Sequence, residues 1–179
     1  MGKAYDHIVS ENKKYAVVFD KAGLATQPAK KIAILTCMDA RLDPMRFAGL
    51  ELGDAHIIRN AGGRASDDAI RSLVISNRLL GTDQWFVIHH SDCGMESFTQ
   101  KKMDELLAEN LNAKRAVYGR FMNWLTIDDR KKSVIDDVLR IKGHPLVPDN
   151  VSVFGFIFDL KTGELIEVEE ASRAGKSSE

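Results

Sequence analysis

Two cysteines are the whole thiol complement of this 179-residue chain. Cys37 opens the stretch Cys37-Met38-Asp39-Ala40-Arg41, and Cys93 closes His90-Ser91-Asp92-Cys93. The His-x-x-Cys spacing lets one short turn of chain offer two ligands to a single ion, and Cys37 supplies a third. Two thiolates and one imidazole are soft to borderline donors, which suits zinc in a reaction without redox chemistry. A structural zinc takes four protein ligands, whereas a catalytic zinc takes three and keeps a position open. Cys37, His90 and Cys93 therefore read as the ligands of a catalytic zinc. The alternative for either cysteine taken alone is an ordinary buried thiol. A thiol redox centre is disfavoured because the chain has no Cys-x-x-Cys.

Asp39 and Arg41 alternate on an extended segment, so their side chains project to one side and can pair. A neighbouring arginine keeps a carboxylate ionised, ready to accept a hydrogen bond from water at the metal. The plain alternative is a loop ion pair. Asp43 and Asp92 show no clear partner in the sequence and stay outside the catalytic set. His89 points to the opposite side of its strand from His90 and is expected to be structural. His56 and His144 are also expected to be structural, and His7 to lie on a helix surface.

These residues need elements to hold them. Ile32-Ala33-Ile34-Leu35 is a short continuous apolar run, the mark of a strand buried on both faces, and it ends at Thr36-Cys37. Further strands are predicted at 55–59, 84–90 and 151–158, with 165–168 returning as an antiparallel hairpin partner. Apolar spacing predicts helices over 5–20, about 95–110 and about 128–141. Another helix starts after an N-cap at Ser66, with Ile70, Leu73, Val74 and Leu80 on its buried face and Gly81 at its C′ position. Residues 23–31 form a connection. A turn surrounds Pro44, with one helical turn over 47–50, and 60–63 is a tight loop. The stretch 118–125 has no clear period. The fold class predicted is α/β: a mainly parallel β-sheet flanked by helices, with an added antiparallel edge strand. Sites in such sheets form beyond the carboxyl ends of strands. Cys37, Asn60 and His90 all fall at such ends, which brings them together across a long sequence separation.

The length suits a single domain over 1–179, with 1–22 as an N-terminal helical arm and 171–179 as a flexible tail. A formal net charge of −1 argues against nucleic acid as a partner. No apolar run is long enough to span a membrane, and the first residues lack a signal-peptide pattern. A soluble cytoplasmic protein is expected. A Cys37–Cys93 disulfide is conceivable, but both flanks look like metal-binding sequence in a reducing compartment.

Taken in order, Cys37-x-Asp39-x-Arg41, Arg59-Asn60-Ala61-Gly62 and His89-His90-Ser91-Asp92-Cys93-Gly94 resemble the β-carbonic anhydrases, in particular their short prokaryotic and fungal branch. The resemblance runs from about residue 32 to 168. It implies zinc on Cys37, His90 and Cys93, and an Asp39–Arg41 dyad that orients the hydroxide formed there. The activity it implies is hydration of carbon dioxide to bicarbonate. Two thiolates donate more negative charge than three imidazoles, so the water at the metal is less acidic and activity should rise on the alkaline side. The resemblance also implies a homodimer or a dimer of dimers, with clefts at the subunit interface and the N-terminal helix embracing the neighbour. Relatives on this branch hydrolyse carbonyl sulfide or carbon disulfide with the same ligands, so the substrate is a small neutral molecule, carbon dioxide or carbonyl sulfide. Asn60, Ala61 and Gly62 are candidate substrate-binding residues, with backbone N–H groups at Gly62 and Gly63 able to meet an anionic product. A non-catalytic zinc-stabilised module is the remaining alternative and would need Asp39 as a permanent fourth ligand.

Overall fold

The computed structural model describes residues 2–110, 119 and 121–177. Its centre is a five-stranded sheet in the order β2-β1-β3-β4-β5. The strands are β1 (Ile32–Cys37), β2 (Ala55–Asn60), β3 (Gln84–His90), β4 (Ser152–Phe158) and β5 (Leu165–Glu167). The first four run parallel, and β5 pairs antiparallel with the end of β4. The apolar run at 32–35 forms β1, an interior strand between β2 and β3 that is buried from Ala33 to Cys37.

Chain order places β2 on one side of β1 and β3 on the other. The carboxyl ends of β1, β2 and β3 therefore flank a topological switch point, where open parallel sheets form their binding crevice. Register makes this concrete: Cys37 pairs with Asn60, and Thr36 with Ile88.

One face of the sheet carries the main core. Ala33, Leu35, Trp85, Val87 and Val153 pack there against Ile70 and Leu73 of helix α3 (Asp67–Arg78) and Val134, Val138 and Ile141 of helix α5 (Arg130–Lys142). Trp85 satisfies its buried indole N–H by donating to Thr82 Oγ1 at 3.0 Å. Alternation sends Phe86, Phe154 and Phe156 to the opposite face, where they stack as a half-buried ladder.

Local chemistry sets the helix ends. Ser66 Oγ accepts from the Ala69 amide at 3.3 Å, and Asp67 and Asp68 sit in the first turn of α3, where the helix dipole favours acids. Leu80 is half-buried, and Gly81, at φ 77°, lies two positions beyond the C-cap Leu79, one residue later than the expected C′. Asp129 caps α5. The turn around Pro44 is a short helix, α2 (Pro44–Phe47), and not a turn over 47–50; Pro44 starts it and Asp43 Oδ1 accepts from Arg46 N at 3.2 Å. The helix expected from 95 is broken: Gly94–Glu96 is a 3-10 turn, and helix α4 (Gln100–Asn110) begins after Thr99, whose hydroxyl accepts from Lys102 N. Of the unassigned 118–125 stretch, 118 and 120 fall outside the described residues, and 121–125 form neither helix nor strand.

Both ends of the chain are informative. Helix α1 (Lys3–Val18) forms as its spacing predicts but buries none of its residues. At the other end, 171–177 is not a loose tail. Helix α6 (Glu169–Ala174) buries Ala171 completely against α5 and Gly155. The Gly175 carbonyl then accepts from Val153 N at 2.8 Å. Small residues made this segment look unstructured, yet only small residues fit so close to the sheet.

Candidate metal centre and active-site cleft

Two of the three predicted ligands are delivered by strand ends and the third by the turn after β3. β1 stops at Cys37 and β3 at His90. The chain after His90 is turned back by three features: Ser91 N donates to Phe158 O at 2.9 Å, Ser91 Oγ accepts from Leu160 N at 2.9 Å, and Asp92 adopts φ 55°. The turn brings Cys93 Sγ to 4.0 Å from Cys37 Sγ. A tetrahedral ion bound about 2.3 Å from each sulfur would hold such a pair about 3.8 Å apart.

His90 completes the set. Its Nδ1–H donates to the Ser91 carbonyl at 2.9 Å, which leaves Nε2 as the lone-pair nitrogen. That Nε2 is buried and has no hydrogen-bond partner among the described residues. The ligand atoms of Cys37, His90 and Cys93 lie within 4.8 Å of one another, and all three residues are buried. An orphaned imidazole nitrogen facing two thiols is a donor set that fits zinc.

Electrostatics agree with the geometry. The hydrogen bond shared by the two sulfurs lowers the Cys37 pKa to about 4, against the opposing effect of burial. The same bond and burial push the Cys93 pKa up. The pair thus holds one proton between them, and a second thiolate at this distance needs a cation to form. Burial disfavours the His90 cation, but the Cys37 thiolate, the Ser91 carbonyl and Asp39 together raise its pKa.

Asp39 and Arg41 form the expected pair at the mouth of this cluster. Arg41 Nε donates to Asp39 Oδ1 at 2.9 Å and Nη2 to Oδ2 at 2.7 Å, and the Arg41 amide also donates to Oδ1. These bonds hold the Asp39 carboxyl well below the usual carboxylate range. Oδ2 stands 3.8 Å from His90 Nε2. Two contributors were not legible in the sequence. Arg59 props the loop by donating to the carbonyls of Cys37 and Asp39. Asp92, set aside for want of a partner, accepts from Arg41 Nη1 at 2.7 Å. Its one sequence signal was a carboxylate placed inside the His-x-x-Cys motif. Asp43, set aside with it, caps α2.

A cleft of about 310 Å³ opens beside the cluster, lined by Cys37, Asp39 and Cys93 and by Met38, Ala61, Gly62, Met95 and Phe98. Ala61 and Gly62, two of the three candidate substrate-binding residues, line this cleft. Asn60 does not line the cleft: its amide bonds the backbone N and O of Arg64, locking the Ala61–Gly63 turn. Gly63 follows with φ 68°, and a Cβ there would lie 2.8 Å from the Thr36 carbonyl carbon, so the turn closes against β1 only as glycine. The far wall is the 3-10 turn, fixed by Ile127 N donating to Met95 O and by a two-bond Arg130–Glu96 pair.

The other histidines take structural places. His89 Nε2–H donates to Asp137 Oδ2 at 3.1 Å, on the opposite side of β3 from the cluster. Asp137 also accepts from Arg64 Nε at 2.7 Å and Nη2 at 3.2 Å, while Arg64 Nη1 donates to the Leu125 and Thr126 carbonyls. His56 Nδ1 contacts Ser76 Oγ, Leu146 N donates to His144 Nδ1, and His7 is exposed on α1.

Comparison with known proteins places these features. The carbonic anhydrase family model matches residues 32–165. β-Carbonic anhydrase 1 of Mycobacterium tuberculosis is 41% identical over 165 residues, covering 91% of this chain and 96% of the relative. Carbon disulfide hydrolase of Saccharolobus solfataricus is 34% identical over 155 residues, covering 76% of each chain. The solved carbonic anhydrase of Glaciozyma antarctica superposes with a TM-score of 0.86 at 40% identity, covering 94% of this chain and 99% of that one. With a parallel sheet whose strand ends gather two thiols and an imidazole, and a match that spans most of its length, the chain belongs to the β-carbonic anhydrase family.

Proposed function

We propose that this protein is a zinc-dependent carbonic anhydrase that hydrates carbon dioxide to bicarbonate, with Cys37, His90 and Cys93 holding the metal. The observation that carries the proposal is the three-donor cluster with the Asp39–Arg41 pair at its open side. When bound, zinc supplies the Lewis acidity that makes water a nucleophile near neutral pH.

The chain's own residues do the rest. Asp39 Oδ2 accepts a hydrogen bond from water at the cluster and aims the oxygen lone pair into the cleft. Arg41 holds both Asp39 oxygens, so the carboxylate stays ionised and correctly turned. A carboxyl held this acidic accepts a hydrogen bond but does not store the proton released on hydration, which passes to solvent. Ala61, Met95 and Phe98 give the cleft an apolar wall suited to a small uncharged linear molecule. Release of Asp39 by Arg41 would let it swing in as a fourth ligand and close the site.

The same apolar wall, with the thioethers of Met38 and Met95, also suits carbonyl sulfide or carbon disulfide, which is the second reading. A homodimer or dimer of dimers is supported by α1, which buries nothing in its own chain while exposing Tyr5, Ile8, Tyr15 and Phe19, and by the half-buried Phe86–Phe154–Phe156 ladder. Two unbonded cysteines in the ligand set fit a reducing, cytoplasmic setting. Among the described residues no helix is long and apolar enough to cross a membrane.

The test is stopped-flow carbon dioxide hydration by zinc-loaded protein, with carbonyl sulfide turnover measured on the same sample. Carbon dioxide hydration that falls at least about tenfold in Asp39→Asn, at unchanged zinc content, is the expected result. No hydration by the wild type at any pH would reject the assignment, and turnover of carbonyl sulfide alone would select the second reading.

A further inference from the structure

The Arg41 guanidinium has more partners than the dyad needs. Nε and Nη2 face Asp39. Nη1 donates to Asp92 Oδ2 at 2.7 Å, and Nη2 also donates to the Asp92 backbone carbonyl at 2.9 Å. Every guanidinium nitrogen is therefore engaged, by two carboxylates and one carbonyl. Asp39 and Arg41 are two residues apart on the loop leaving β1, whereas Asp92 lies on the loop leaving β3, 51 residues further on.

We propose that Asp92 is a positioning residue: by gripping the outer edge of Arg41, it sets the angle at which Arg41 presents Asp39 to the metal centre. The inference rests on the function proposed above and deepens it. A pair on a single loop can rotate together without breaking either bond. Asp92 removes that freedom, because it fastens the guanidinium to the loop that carries Cys93. The backbone is shaped for the task. At φ 55°, Asp92 sits in the left-handed region between two metal-ligand candidates, and both its carbonyl and its carboxylate reach Arg41. Aspartate tolerates that conformation better than most residues.

A packing role does not account for the contact. The Asp92 side chain is 81% exposed and buries no apolar surface of consequence. Exposed ion pairs contribute little to stability, so the consequence of this one lies in orientation. The three-residue unit also differs from the Asp39–Arg41 dyad alone in a testable way: loss of Asp92 should matter only while an arginine fork stands at position 41.

Asp92→Gly and Asp92→Asn both accept a positive φ, so neither strains the loop. Zinc content should equal that of the wild type, and KM for carbon dioxide should change by less than about twofold. The kcat should fall about 3- to 10-fold, the scale of a charge-assisted bond partly open to water. In the cobalt(II)-substituted protein, the visible bands of Asp92→Gly should shift toward those of Arg41→Lys, because a lysine cannot hold two carboxylates as a fork does. Adding Asp92→Gly to Arg41→Lys should lower kcat by less than about twofold, the non-additivity expected of residues acting as one unit. The proposal is overturned by a wild-type kcat together with unshifted cobalt bands, or by equal kcat losses in the arginine and lysine backgrounds. The cobalt comparison needs no substrate. A wild-type protein inactive toward carbon dioxide would reject the proposed reaction and leave the bands to decide the role of Asp92.

Discussion

Asp137→Ala should destabilise the protein by about 3–5 kcal/mol, the range for removing one partner of a buried ion pair. The structure shows why the upper range applies. Asp137 and Arg64 are 3% and 10% exposed at the side chain. Asp137 accepts from Arg64 Nε, Arg64 Nη2 and His89 Nε2, and alanine leaves all these donors buried without an acceptor. Arg64 would keep only the Leu125 and Thr126 carbonyls to balance its charge. With a urea m-value of about 2–3 kcal/mol/M for a chain of this size, the midpoint should drop by about 1–2.5 M. Zinc-loaded samples at one fixed protein concentration are needed, because ligand binding and association both shift apparent stability. The dependence on pH gives a second check. Burial opposes ionisation of Asp137, but His89 and Arg64 outweigh it and leave its pKa below the ordinary 3.8. A carboxyl with a lowered folded pKa contributes stability above its unfolded pKa and loses it as pH falls through the folded value. The gap between wild type and Asp137→Ala should therefore be full at neutral pH and narrow below about pH 4. Arg71→Ala, which removes an exposed pair with Asp68, should move the midpoint by less than about 0.5 M, since exposed pairs contribute under about 1 kcal/mol. An Asp137→Ala shift as small as that control, or a gap unchanged at pH 3, would refute the reasoning.

Cys37→Ser should abolish zinc retention on gel filtration, measured by metal analysis, because two donors remain of three. Gly63→Ala should lower the thermal midpoint by several degrees: it pays about 1–3 kcal/mol for the left-handed backbone, and its new Cβ meets the end of β1. Deleting 169–179 should destabilise strongly by uncovering α5 and β4 around Gly155, read as a lower denaturation midpoint. Removing 1–22 should leave the secondary structure of the remaining chain intact, read by circular dichroism, and lower the oligomeric mass, read by light scattering, since α1 buries none of its residues in its own chain.

The three-donor cluster was legible because its signal is local in chemistry and global in topology. Cys37 and His90 each terminate an apolar run, and parallel strands put such ends on one edge. Asp92 escaped because its partner lies 51 residues away and neither residue carries an apolar pattern to predict the contact. Arg64 and Asp137 escaped for a related reason: charged residues are normally assigned to surfaces, and only the packed structure shows these two buried together. The break before α4 was hidden because Met95 fits a helical period yet belongs to the cleft wall, while Thr99 supplies the true start. Residues 171–177 were misjudged because small polar residues look featureless in sequence, although close packing against Gly155 demands them. Asn60 was placed correctly at a strand end, but its amide serves the turn rather than the cleft.

The separation of the two thiols also constrains how the protein is made. Cys37 and Cys93 are 56 residues apart, so at about 5–20 residues per second the first sulfur leaves the ribosome about 3–11 s before the second. During that interval β1, which ends between β2 and β3, has β2 available as a neighbour but not β3. No metal can be captured with three donors until β3 has been synthesised and paired. The centre therefore reports on sheet assembly: a nascent chain that binds zinc with full affinity has already placed its central strands in register.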